Sequence, residues 1–205
     1  MLSQEGFNLW AEGYDQAVHL SDESSTYPFA GYKDILNRIF GRVLEKDHAV
    51  ILDVGFGTGT LTAKLYERGC EVWGQDFSEK MIQLAQPKMP RARLFQGDFS
   101  QGLAAQLLQN RYDFIIATYS LHHLDLDGKV RLLQTMRTLL AAGGKILIGD
   151  VAFETAAELE QCRQECGDEW DDDEIYFVFD EIKTAFPNAI FEKISYCSGI
   201  ITITN

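Results

Sequence analysis

The chain contains no C-x-x-C pair, no cluster of basic residues, and no apolar run approaching the ~18 residues that suggest a membrane span. Each absence excludes a class of protein. Four cysteines occur, Cys70, Cys162, Cys166 and Cys197, and no His pair accompanies them at zinc-site spacing. They read as reduced packing thiols. Lys and Arg number 18 against 31 Asp and Glu, for a net charge of -13. Binding to a nucleic-acid backbone needs clustered cations that release counterions, so DNA and RNA are not expected partners. No basic segment followed by an apolar one opens the chain, so the expectation is a soluble, cytoplasmic protein. No low-complexity linker or internal repeat interrupts it. Its 205 residues, 46% hydrophobic and 24% charged, suit a single domain with a full core.

What is present centres on Ile51 to Thr60, ILDVGFGTGT. An apolar run from Ala49 to Leu52 reads as a buried strand, and a helical pattern covers Leu61 to Arg68. Between them stand Asp53 and the alternating Gly55, Gly57 and Gly59. Strand, glycine turn and helix is the layout of a nucleotide-cofactor site in a doubly wound sheet. The spacing is not the G-x-G-x-x-G of dinucleotide enzymes, because the third glycine comes one residue early. Asp53 would also repel a pyrophosphate. A carboxylate there suits a ligand with a cationic amine and no phosphate, such as S-adenosylmethionine (SAM).

The remaining chain supplies further strand and helix units. Tyr32 to Leu44 reads as a helix whose inner face holds Ile35, Leu36, Ile39, Phe40 and Val43. Glu71 to Asp76 reads as the second strand, and Asp76 ends it 21 residues after Gly55. A carboxylate at that position can accept from both hydroxyls of a ribose. Ser78 to Ala85 is predicted helical. Ala92 to Gln96 is a third strand, followed by a helix over Gln101 to Asn110. Tyr112 to Thr118 is a fourth strand, Gly128 to Leu140 a helix stopped by Gly143 and Gly144, and Lys145 to Gly149 a fifth strand ending at Asp150. A helix over Phe153 to Cys166, starting as late as Glu154, runs into the acidic stretch from Asp168 to Glu174, expected as a mobile solvated loop. Asp180 is expected to cap a helix over Glu181 to Phe186. Ala189 to Tyr196 and Gly199 to Thr204 read as a hairpin. Five β-α units argue for an α/β fold: a parallel sheet in a three-layer, doubly wound arrangement, with the hairpin adding an antiparallel strand.

Tyr119 to Leu124 follows the fourth strand, at the sheet edge where ligands bind in such folds. Adjacent His122 and His123 suggest a metal pair or a general base. Neighbouring histidines need a third ligand to hold a metal and none is obvious, so no metal is expected. His123, Tyr119, Tyr14 and Asp150 are the candidates for the substrate side, His123 as base, with Tyr27 and Trp170 behind them.

Together these motifs resemble class I SAM-dependent methyltransferases, over the whole chain and most strongly from Val50 to Val151. The family's E/D-x-G-x-G-x-G loop matches Asp53 to Gly59, and its ribose-binding acid matches Asp76. Its G-D-x turn beside the adenine matches Gly97-Asp98-Phe99, and its aTysLHHl stretch, where the fourth strand ends, matches Ala117 to Leu124. The opening Trp10 to Asp15, WAEGYD, resembles a W-A-x-x-Y-D opening that helps close the cofactor pocket. The resemblance implies a seven-stranded sheet of order 3-2-1-4-5-7-6 with strand 7 antiparallel. Residues 1–205 are expected as one domain: a helical lid over 1–48, a cofactor core over 49–151, and an insert with a hairpin over 152–205. The expected cofactor contacts are Tyr14, Asp53, Gly55, Phe56, Gly57, Thr58, Gly59, Asp76, Phe77, Met81, Gly97, Asp98, Phe99 and Thr118.

The implied reaction moves a methyl group from SAM to a small molecule by SN2 displacement, leaving S-adenosylhomocysteine (SAH). No N/D-P-P-Y/F motif follows the fourth strand, which agrees with the charge in disfavouring a nucleic-acid base as acceptor. A monomer or homodimer acting without membrane is expected. The rival readings are a non-catalytic SAM or SAH binder and, opposed by Asp53 and the glycine spacing, a nicotinamide-dependent oxidoreductase.

Overall fold

The computed structural model describes residues 26–205. The expected contacts at Trp10, Ala11 and Tyr14 lie outside them. The first described helix is α1 (Tyr32–Val43), followed by β1 (Val50–Val54), α2 (Thr60–Glu67), β2 (Glu71–Asp76), α3 (Glu79–Ala85), β3 (Arg93–Gln96) and β4 (Tyr112–Thr118). The second half carries α4 (Leu126–Thr138), β5 (Leu140–Phe153), α5 (Ala156–Cys166), β6 (Phe177–Val178), α6 (Phe179–Ala185), β7 (Ile190–Lys193) and β8 (Ser198–Thr204).

The strands form one sheet in the order β3-β2-β1-β4-β5-β8-β7, with the two-residue β6 pairing with β5 off this path. β1 to β5 are parallel, and β8 runs antiparallel to both β5 and β7. Setting β6 aside, this is the expected order, with the terminal hairpin as its last two strands. Both faces are covered, as a parallel sheet requires. Successive side chains leave a strand on opposite faces, so Ile51, Ile116 and Leu147 join α1 and α2 on one side. Leu52, Ile115 and Ile146 join Leu132, Leu133 and Met136 of α4 on the other. Burying each such side chain stabilises the fold by about 1.5–3 kcal/mol.

Five local expectations change. Gln101 to Asn110 is not a helix but two 3-10 turns, at Phe99–Gln101 and Leu107–Gln109. Gly102 breaks the stretch at φ 116°, and the buried Gln75 side chain pins it by accepting from Ala104 N and donating to Gly102 O. α4 starts earlier than Gly128 because Asp125 caps it, accepting from Gly128 N at 2.7 Å. It ends at Thr138, and β5 runs from Leu140 through a register shift opposite Tyr112–Phe114. α5 starts at Ala156 because Thr155 caps it, which leaves Phe153 in β5. α6 starts at Phe179 after Val178, which offers no side-chain cap, so Asp180 lies in its first turn.

The order of strands reverses between β1 and β4. A crevice opens there at the carboxyl ends of the strands. Among the described residues no helix is long and apolar enough to cross a membrane.

Candidate active site

A cavity of about 360 Å³ lies in that crevice. Its floor is the turn after β1. Gly55 sits at φ 77°, and a Cβ there would come within 2.4 Å of Ser120 Cβ. Only glycine allows β1 to turn so close to the end of β4. Gly57 has φ 56° with open space where its Cβ would point, so its backbone is exposed to a ligand. Gly57 N donates to Asp76 Oδ2 at 2.8 Å, and Ser78 N donates to Asp76 Oδ1 at 2.9 Å. The carboxylate at the end of β2 thus ties the glycine loop in place. Each oxygen retains capacity for another hydrogen bond. Ser78 caps α3 by accepting from Met81 N.

Asp53 is almost fully buried, and Thr62 donates its hydroxyl to Oδ2. Oδ1 is buried without a hydrogen-bond partner. Burial, with a smaller push from Asp76, raises the Asp53 carboxyl to about 7. Burial likewise raises Asp76. A buried, half-satisfied carboxylate on a cavity wall is costly unless a cation covers it. Among the described residues that wall this cavity there is no lysine or arginine. An uncovered carboxylate on this wall favours a cation over a pyrophosphate.

The expected cofactor residues Asp53, Gly55, Phe56, Gly57, Thr58, Asp76, Phe77, Met81, Asp98, Phe99 and Thr118 all wall this cavity. Gly59 and Gly97 do not. Gly59 is the left-handed residue before α2, and Gly97 packs on the Gln75 side chain. Asp98 accepts from Ser100 N through Oδ1.

The turn after β4 furnishes a second group. Tyr119 adopts φ 50° and its ring meets Phe29 and Tyr32, with centroids 5.3 and 5.1 Å away. Burial, reinforced by Asp150, holds its phenol well above the ordinary value. It is therefore a wall and not a proton acceptor at neutral pH. Leu121–His123 forms a 3-10 turn. Asp150, buried at the end of β5's pairing with β4, accepts from Leu121 N at 3.2 Å and Val151 N at 2.8 Å. Its Oδ1 lies 2.6 Å from His122 Nδ1. This fixes the His122 ring and leaves Nε2 as its second nitrogen. Burial opposes charge on His122 most strongly, but Asp150 and Glu174 outweigh it and raise the imidazole above its ordinary value.

The sequence points to His123 as the base, whereas the buried carboxylate stands behind His122. The acidic composition of 168–174 suggests a solvated loop for Glu174. It is instead partly buried, with Oε2 3.0 Å from His123 Nδ1 and 3.6 Å from His122 Nε2. Burial acts to raise Glu174, but both histidines together lower it, so it is ionised at neutral pH. Ile175 N donates to His122 O at 2.8 Å, and the buried Lys129 ammonium donates to Leu124 O and Ile175 O. These bonds dock the 174–176 segment onto the histidine turn. Trp170 stacks on Tyr27 at 5.2 Å and meets Tyr176 edge-on at 5.0 Å, outside the cavity wall. It anchors the acidic segment. The one available signal was that Glu174 directly precedes the apolar Ile175 to Phe179.

The family described as "Methyltransferase domain" matches residues 51–144. An uncharacterized methyltransferase of Alkaliphilus oremlandii is 30% identical over 180 residues, covering 88% of this chain and 80% of the relative. Another, from Anoxybacillus flavithermus, is 40% identical over 147 residues, covering 72% of this chain and 66% of the relative. The chain thus matches just under two thirds of that relative's length. The DhpI–SAH complex shares the fold with a TM-score of 0.71, at 16% identity over 97% of this chain and 93% of DhpI. Magnesium protoporphyrin IX methyltransferase (ChlM) from Synechocystis PCC 6803 with bound SAH gives 0.67, at 18% identity over 86% and 85%. The chain belongs to the class I SAM-dependent methyltransferases.

Proposed function

We propose that the chain methylates a small molecule bearing an apolar or aromatic body and one protic nucleophile. The observation that carries this reading is a single cavity that takes in both the uncovered Asp53 Oδ1 and the Asp150-backed His122. On the cofactor side, Asp53 faces the ammonium of SAM and Asp76 accepts from its ribose hydroxyls. Asp98 accepts from the adenine amine, and Met81 and Phe99 flank the ring. When bound, SAM supplies an electrophilic methyl group on a sulfonium.

On the acceptor side, Tyr27, Phe29, Tyr32, Tyr119 and Tyr176 provide ring faces for an apolar body. Those rings exclude water around the nucleophile, which strengthens every polar contact inside. His122, His123 and Glu174 form the polar end that makes the nucleophile electron-rich. Asp150 positions His122 for that task, a role that lies one residue from the expected His123.

The test is SAH formation from SAM across a panel of small phenols, thiols and amines, with mass detection of the methylated product. Turnover of one class supports the reading. Tight SAM binding with no turnover on any class, and a protein partner on purification, favours a non-catalytic binder instead.

A further inference from the structure

His122, His123 and Glu174 converge although two of them are sequence neighbours. They manage this by presenting different ring nitrogens, Nε2 of His122 and Nδ1 of His123. Their ring centroids are 4.3 Å apart and the planes are tilted by 70°. The three donor atoms lie within 4.8 Å of one another. Metal–ligand bonds of 2.0–2.2 Å in a tetrahedral site place ligand atoms about 3.4 Å apart. The 3.0 and 3.6 Å separations from Glu174 Oε2 bracket that edge. Glu174 Oε2 is buried and lies within reach of both rings.

The surroundings match as well. A metal-bound histidine characteristically donates its other ring N–H to a carboxylate, which orients the ring and raises its basicity. Asp150 Oδ1 stands 2.6 Å from His122 Nδ1 in that position, and one backbone N–H holds each oxygen of the carboxylate, Val151 N on Oδ1 and Leu121 N on Oδ2. The trio is anchored from two elements by the Ile175 N to His122 O bond, so little rearrangement is needed to close a site.

We propose that His122, His123 and Glu174 bind a divalent first-row transition ion, and that its open position takes a hydroxyl or thiol of the acceptor. Two imidazoles and one carboxylate leave coordination positions free, as in catalytic rather than structural sites. All three residues wall the cavity that takes in Asp53, so those positions face the same chamber. A protic acceptor bound there exchanges its O–H or S–H bond for a bond to the ion and releases the proton to solvent, at a lower pH than when free. The role of the ion rests on the methyltransferase reading; its binding does not.

The test is calorimetric titration of chelator-stripped protein with Zn2+, alongside the absorption spectrum with Co2+ and a parallel titration with SAH. The expected result is one ion per chain, with a Kd on the order of 1 μM or below. Glu174→Gln and His123→Ala weaken it by at least about 100-fold with unchanged SAH affinity, and Asp150→Asn by about 10–100-fold. The Co2+ spectrum lacks a thiolate charge-transfer band. No Zn2+ binding tighter than on the order of 100 μM overturns the proposal. So does binding that survives Glu174→Gln with a thiolate band, which moves the ion to Cys162, Cys166 or Cys197. Zinc binding without any SAH binding leaves this site standing and removes the methyltransferase reading.

Discussion

Replacing Asp53 with Asn separates function from stability. Burial raises the carboxyl from 3.8 to about 7. A group whose pKa is higher in the folded than in the unfolded chain favours folding while it is protonated. That contribution is complete below about 4 and is lost as pH rises through 7. The shift of roughly 3 units corresponds to about 4 kcal/mol withheld from the unligated protein above pH 7. Asn carries no charge and can still accept from Thr62, but its amide hydrogens lack a partner, at a cost of about 1–3 kcal/mol. The net expectation at pH 8 is a gain of about 1–3 kcal/mol, or roughly 3–10 °C in melting temperature for a chain of this length. At pH 5 Asp53 is largely protonated in the fold, the gain shrinks to about 1.5 kcal/mol, and the lost hydrogen bonding cancels it. SAM affinity moves the other way, because a charge-assisted hydrogen bond of about 1.5–3 kcal/mol disappears and binding weakens at least 10-fold. Thermal melts of both proteins at pH 5 and 8, with and without SAM, read all four quantities. A variant that melts below the wild type at pH 8, or that keeps wild-type SAM affinity, refutes the reasoning.

Wild-type SAM affinity should itself fall below pH 7, toward a limit of about tenfold per unit as Asp53 takes up a proton, measured by titration across pH 5–8. Gly55→Ala should destabilise the fold by about 2–4 kcal/mol in urea unfolding, because its Cβ meets Ser120 at 2.4 Å and the backbone is left-handed. Gly57→Ala meets nothing, so it should cost only about 1 kcal/mol in the same assay while weakening SAM binding more than Gly55→Ala does per unit of stability lost. Asp150→Asn should lower kcat by about 10²–10⁴-fold with SAM affinity unchanged, since it frees the His122 ring without touching the cofactor side.

The cofactor side was legible in the sequence because its signals are local. Glycines at 55 and 57, a carboxylate at 53 and another ending the second strand all lie within one β-α-β unit. The sheet order came with the family resemblance, and the antiparallel terminal hairpin agrees with it. Gly59 and Gly97 shape the turns and are not among the residues that wall the cavity. The helix expected over Gln101 to Asn110 failed because a distant side chain, Gln75, captures backbone groups that a helix would have used. The acceptor side was illegible for a related reason. Glu174 lies 51 residues after His123, and a hydrogen bond from Ile175 and a buried Lys129 help bring the two together. An acidic run read by composition is a solvated face, and nothing local marks which of its carboxylates turns inward.

The central claim is that this cavity binds an adenosyl amino acid carrying a cationic amine and no phosphate. Calorimetric titration of the purified chain with SAM, SAH and NAD tests it most directly. Micromolar binding of SAM and SAH with no heat from NAD is the expected result. Binding of NAD without SAM would contradict this, because Asp53 and described wall residues that include no lysine or arginine would then have admitted a pyrophosphate.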